Sequence, residues 1–219
     1  LARRRRRLAE TMPRPGAARA LVEAAAILLD SQDTPNALSV AEEARPVVSE
    51  IDDHRMQHRC LGVLGMIYAG MDRPQDALDH LMQASRHASR AGDVEGEARW
   101  LAGVGEALIQ FGNLEDAAYA AERCGEIALD IDDRSLQGRA VALKGSIHLA
   151  EGRLADAEQC LQQALVIARE ADDRQSQLRY LELLVYLAQQ TRQPQDAMKY
   201  LRQAVDLADT FAPADQRAR

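Results

Sequence analysis

Apolar residues recur at three-and-four spacing along most of the chain. Leu61, Leu64, Ile67 and Tyr68 make one such stripe, and Ala77, Leu78, Leu81 and Ala84 make the next. That spacing predicts two amphipathic helices, each with a single buried face. Between them stands GMDRP, residues 70–74, which reads as a turn. The same succession returns along the chain. Asp53, Asp93, Asp133 and Asp173 mark a step of 40 residues without slippage. An Asp-Ala pair keeps that step at Asp76-Ala77, Asp116-Ala117, Asp156-Ala157 and Asp196-Ala197, with Asn36-Ala37 in the matching earlier place. Five helical hairpins are therefore expected, over residues 14–53, 54–93, 94–133, 134–173 and 174–213, with a basic segment 1–13 before them and a tail 214–219 after.

The polar positions fit that division. Pro74 and Pro194 suit a first helical turn, where the missing N–H is one of the orphans in any case. Asp53, Asp93, Asp133 and Asp173 suit N-caps, and paired acids such as Asp132-Asp133 read as caps rather than as metal or acid-base groups. Gly112-Asn113 and Gly152 mark further turns.

Composition narrows the class. Alanine and leucine dominate, apolar residues make up 47% and aromatics 4%, which favours an all-α chain with enough material for a core. The net charge is −7, which argues against a nucleic-acid-binding body, since a phosphate backbone needs a basic face. Arg3 to Arg7 form a basic run, read as a solvated helix or linker before Pro13 and Pro15, with nucleic acid, an anionic membrane or an acidic domain as the other readings. The most apolar stretch, Leu21 to Leu29, contains Glu23 and is about half the ~20 residues a membrane span needs. Cys60, Cys124 and Cys160 are widely spaced and odd in number, which suits a reducing cytoplasm without disulfides. Only Lys144 and Lys199 are lysines among 27 basic residues, a usage that fits a GC-rich bacterial genome. The first residue is leucine, which fits a piece of a longer protein.

The repeat resembles the tetratricopeptide repeat. Leu61, Leu64-Gly65, Tyr68, Ala77, Leu81 and Ala84 stand where that family has its Trp, Leu-Gly, Tyr, Ala, Phe and Ala. Unit three offers Leu101, Val104-Gly105, Leu108, Ala117, Ala121 and Cys124, and unit four Val141, Lys144-Gly145, His148, Ala157, Leu161 and Ala164. Val185 replaces the glycine in unit five and Ala25 in unit one. The 40-residue step exceeds the usual length of about 34. In this it is similar to the longer-helix versions of kinesin light chains, large bacterial transcription activators and bacterial peptide-sensing regulators. The resemblance implies a right-handed superhelix with a concave groove formed by first helices, and a binding module rather than a catalyst. Gly65, Gly105 and Gly145 are then close-packing glycines, while Lys144 lies along the surface with its stem covered.

Motifs for chemistry are absent. Gly103 and Gly105 would open a phosphate loop only with a third glycine where Leu108 stands, and the context is helical. His54 and His58 are four apart and share a helix face, yet no further ligand stands at metal-like spacing. His148 and Trp100 read as packed residues, and Cys60 and Cys124 as small apolar ones. No catalytic residue, metal or cofactor is expected.

One column does suggest a ligand. Arg19, Arg59, Arg99, Arg139 and Arg179 recur in register, and in the resembling family that position faces the groove. Met66, Glu106, Leu143, Ser146 and Tyr186 stand at neighbouring groove positions. Guanidinium forks suit the carboxylates of an acidic peptide or protein segment. The alternative is internal, since the arginines follow capping acids and Arg99 has Glu95 four residues earlier. Two functions remain: a peptide- or protein-binding module in a bacterial signalling or transcription protein, or a sensor whose small effector or signal peptide changes the curvature. Pro213 falls one step after Asp173, at the place where the repeat predicts the start of a further unit or capping helix. Self-association through the terminal repeats is a further expectation.

Overall fold

The computed structural model describes residues 14–209 together with Arg4. The remainder of the Arg3 to Arg7 run, Pro213 and the tail 214–219 lie outside the described residues. Ten helices and no strand are present among those described: α1 (Arg14–Asp30), α2 (Thr34–Ser49), α3 (His54–Gly70), α4 (Pro74–Arg90), α5 (Val94–Gln110), α6 (Leu114–Asp130), α7 (Arg134–Ala150), α8 (Leu154–Glu170), α9 (Arg174–Gln190) and α10 (Pro194–Asp209). Among the described residues the protein is an all-α chain of successive helical hairpins. It divides into two compact units at Asn113 and Leu114, between the two helices of the third 40-residue repeat.

Local chemistry accounts for the helix ends. Asp53, Asp93, Asp133 and Asp173 each accept hydrogen bonds from amides of the following turn, for example Gly96 N–H to Asp93 Oδ1 at 2.8 Å and Leu136 N–H to Asp133 Oδ1 at 3.0 Å. The four expected caps are therefore present. Asp132 differs from its neighbour. It takes a left-handed backbone, φ 54°, and so forms the turn while Asp133 alone caps.

A left-handed residue recurs every twenty positions, at Gln32, Asp72, Gly92, Gly112, Asp132, Gly152, Asp172 and Arg192, with the step at position 52 missing. After each of them, the next amide reaches back to the preceding helix, as in Asp93 N–H to Ala88 O and Asp173 N–H to Ala168 O, both 2.9 Å. This is a Schellman closure. Asp93, Asp133 and Asp173 thus end one helix with their N–H and start the next with their carboxylate.

In the first unit α3 packs on α4, and the first helices of successive repeats touch, α1 on α3 and α3 on α5. Leu64, Ile67 and Leu81 are fully buried there. Gly65 permits the approach of α4, because a Cβ at that position would come 2.6 Å from Leu81 Cγ. In the second unit α7 meets α8 and α9, and α9 meets α8 and α10. Its core is Leu161, Leu165, Tyr180, Leu181, Leu184 and Leu187 over a floor of alanines. The outer face of α10 leaves Met198, Leu201 and Val205 about half exposed.

Candidate functional site

Three consecutive first helices of the first unit enclose a cleft of about 310 Å³. Val22 and Ala26 come from α1, His58, Arg59 and Val63 from α3, and Glu95, Gly96, Arg99 and Trp100 from the start of α5, with the cap Asp93 at its edge. The indole of Trp100 lies over Gly62, where a Cβ would stand 2.6 Å from Cε2 and closer still to Cζ2 and Cη2. Trp100 is therefore wedged between helices, as the sequence suggested, and it is buried.

His58 joins the wedge to the cleft. Trp100 Nε1 donates to His58 Nδ1 at 3.1 Å. An indole nitrogen only donates, so Nδ1 must accept and the ring proton sits on Nε2. That atom lies 3.1 Å from Asp93 Oδ2, a close polar contact that is not aligned as a hydrogen bond. Burial holds the His58 pKa below its ordinary value, with Asp93 pulling it partly back up. The buried imidazole is thus kept neutral.

A pH dependence follows. The unfolded chain, with His58 near its ordinary ~6.5, binds a proton that the folded chain refuses, so stability is complete above that value and falls as pH drops below it. His87 adds to the same trend, its pKa lowered by burial, by His54 and by Arg90. Urea melts between pH 7.5 and 5 should show this loss, and His58→Gln with His87→Gln should flatten it. An unchanged slope in the double variant would exclude these two groups as its source.

The arginines of the column differ in their surroundings. Arg19 pairs with Glu23 at 3.0 Å and Arg99 pairs with Glu95, the internal pairing that sequence spacing allowed. Arg59 is exposed and makes no ion pair among the described residues. Its neighbours four residues away are Arg55 and Val63, so its own helix offers no acid at that spacing. The cleft brings Arg59 and Arg99 together.

In the second unit Arg139 is half-buried and Arg179 exposed, and both charges act on the Tyr180 hydroxyl, which burial pushes up in pKa. Of the neighbouring groove positions, Met66 and Tyr186 are exposed and Glu106 is half-buried. Leu143 differs from its expectation: it is 3% exposed and belongs to the core, because the inward face of α7 is wider than a two-position stripe. Ser146 Oγ donates to Ala142 O at 3.2 Å within its own helix. Lys144 is exposed, and His148 Nδ1 lies 3.5 Å from Glu151.

His58, Asp93 and Trp100 as cleft walls were not legible from one repeat. The positions matching His58 in the next units are Ala98, Gly138 and Leu178, so no column announces it. His54 and His58, four apart on α3, also have separate partners, His54 lying against His87 on α4.

A second, wider cleft of about 850 Å³ lies on the α2, α3 and α4 side of the same unit, with Glu42, Cys60, Asp79, His80 and His87 on its walls. Burial is the main force raising the Cys60 thiol to a pKa of about 12, which removes it as a nucleophile at neutral pH. No group of three or more His, Cys, Asp or Glu donors is gathered among the described residues. No described helix is long and apolar enough to cross a membrane.

Comparison with solved structures shows the same repeat fold at low identity. A Rap protein complexed with competence and sporulation factor superposes with a TM-score of 0.82 at 12% identity, covering 90% of this chain and 56% of that one. The Rap conjugation gene regulator of plasmid pLS20, in complex with a Phr peptide, gives 0.76 at 17% identity, with 88% and 53% covered. A kinesin-light-chain-type repeat protein from Podosopora anserina gives 0.62 at 17% identity, with 91% and 98% covered. This chain spans little more than half the length of either Rap protein. None of the curated proteins matches it. At the level of sequence families the match is to the MalT-like TPR region over residues 17–219, and the chain belongs to that family.

Proposed function

We infer that the chain is a non-catalytic module that captures a peptide or protein segment on its first helices, as the regulatory part of a bacterial, cytoplasmic signalling or transcription protein. The observation that carries this reading is the cleft of the first unit, where the unpaired Arg59 and the Glu95-bound Arg99 share one wall. An acidic segment suits that wall. Its carboxylate meets Arg59 directly and exchanges with Glu95 at Arg99, while Val22, Val63 and Trp100 offer apolar contact. The Rap proteins of the same fold, one with competence and sporulation factor and one with a Phr peptide, support a peptide as the ligand class. Arg139 and Arg179, with Tyr186, are proposed as further partner-binding residues in the second unit. Nucleic acid is disfavoured for the repeats by the net charge of −7. The half-exposed Met198, Leu201 and Val205 on α10 are the surface on which self-association is proposed.

The test is fluorescence anisotropy on an array of acidic and basic peptides, with Arg59→Glu and Arg99→Glu variants of unchanged helicity. Binding should favour acidic peptides, weaken with salt, and fall at least about tenfold in each variant. Equal binding by wild type and variants would sink the arginine assignment. The small-effector reading draws on the cleft volume, which sits at the lower end of the roughly 300–1,000 Å³ typical of small-molecule sites. A metabolite that raises the melting temperature while no peptide binds would favour it.

A further inference from the structure

His54 is the first residue of α3, and His87 lies in the last turn of α4. The helical hairpin brings their Nδ1 atoms to 3.1 Å, with the rings tilted by 59°. Gln57 Oε1 stands 3.0 Å from the same His54 Nδ1. The orientation of that amide is settled by its other end, since Gln57 Nε2 donates to Ile51 O at 3.1 Å.

Three Lewis-basic atoms therefore meet with too few protons to serve them. If His54 carries its proton on Nδ1, that one proton faces two acceptors. If His87 carries it, the lone pairs of His54 Nδ1 and Gln57 Oε1 face each other at 3.0 Å. Protonating both rings at Nδ1 sets two N–H groups and two positive charges against each other. A cation in place of the shared proton satisfies all three.

The geometry points to a site for a divalent late-transition ion of the Zn²⁺ class, held by His54 Nδ1, His87 Nδ1 and Gln57 Oε1, that clamps the start of α3 to the end of α4. Two imidazole nitrogens bound at about 2.0–2.1 Å and separated by 3.1 Å subtend roughly 95–100° at the ion, close to a tetrahedral edge. Imidazole nitrogen suits Zn²⁺, Ni²⁺ and Cu²⁺, and alkaline-earth ions poorly. Gln57 and His87 both open onto the wider cleft, where water can complete the coordination, and Glu42 and Asp79 on its walls set negative charge against Arg45. Cys60 lines the same space as a thiol rather than a thiolate. With two histidines and one amide the site is of modest affinity. It uses the α2–α4 side, so it stands independently of the peptide cleft.

The experiment is calorimetric titration of the tag-free chain with zinc chloride alone, alongside thermal melts with and without the ion. One Zn²⁺ per chain and a raised melting temperature are expected. His54→Ala and His87→Ala should each weaken uptake by about tenfold or more, while His80→Gln, in the same cleft but outside the ligand set, leaves it unchanged. Circular dichroism establishes that the variants are folded, and His87→Gln serves if the alanine variant is not. Absence of saturable uptake, as a plain N–H···N bond between the histidines would give, overturns the proposal. So does uptake that persists in both histidine variants.

Discussion

Gly62→Val should cost the first unit about 3 kcal/mol or more of unfolding free energy, and even Gly62→Ala should be destabilising. Helix propensity argues the other way, since replacing an interior glycine by alanine favours a helix by about 1 kcal/mol. The steric term decides because the added Cβ meets a buried indole, Trp100 Cε2 at 2.6 Å, rather than the free end of a flexible side chain. Either α3 and α5 separate or the ring leaves its seat. The second route also strips His58 Nδ1 of its donor, and an unsatisfied buried acceptor costs about 1–3 kcal/mol. Urea denaturation of Gly62→Ala, Gly62→Val, Trp100→Ala and the Gly62→Val/Trp100→Ala pair measures the coupling. The double variant should lose clearly less than the sum of the single ones. Additive losses, or a stabilised Gly62→Ala, would show that the indole does not press on that glycine.

The second large effect lies in the other unit. Leu161→Ala should lose about 2–5 kcal/mol, because Leu161 is 0% exposed and its removal leaves a cavity among Leu165, Leu181 and Leu184. Leu201 occupies the same position of the repeat one step later, yet it is 46% exposed on α10. Leu201→Ala should therefore stay within about 0.5 kcal/mol of wild type. The pair separates sequence register from burial. Similar losses at both positions would mean that the face of α10 is covered in solution, and sedimentation analysis would then reveal whether a second copy covers it.

These contrasts also explain what could be read from residues alone. The helices, their ends and the 40-residue step were legible because caps and turns are chemistry between near neighbours, as at Asp133 and Leu136. The arginine column was legible as a column. Its differing ion pairs were not, because the partner acid is not repeated: Glu23 follows Arg19, Glu95 precedes Arg99, and Arg59 has Arg55 and Val63 in those places. Leu143 was assigned to a groove and lies in the core, since a rotation of a few tens of degrees about the helix axis separates the two faces. The His58–Trp100 bond spans 42 residues and the His54–His87 contact 33, beyond any local pattern.

The double service of Asp93, Asp133 and Asp173 has a consequence for how such a chain changes length. Each residue carries the amide that finishes one helix and the carboxylate that begins the next, so a segment cut after one of them and rejoined before the following helix brings both halves of its junction with it. A duplication or excision of 40 residues asks for no new turn. An insertion of one residue beside it parts the two functions, so that one residue no longer serves both. Growth and loss in whole steps is thereby the permitted arithmetic of this sequence, and a chain with one repeat more or fewer would still know where each helix starts.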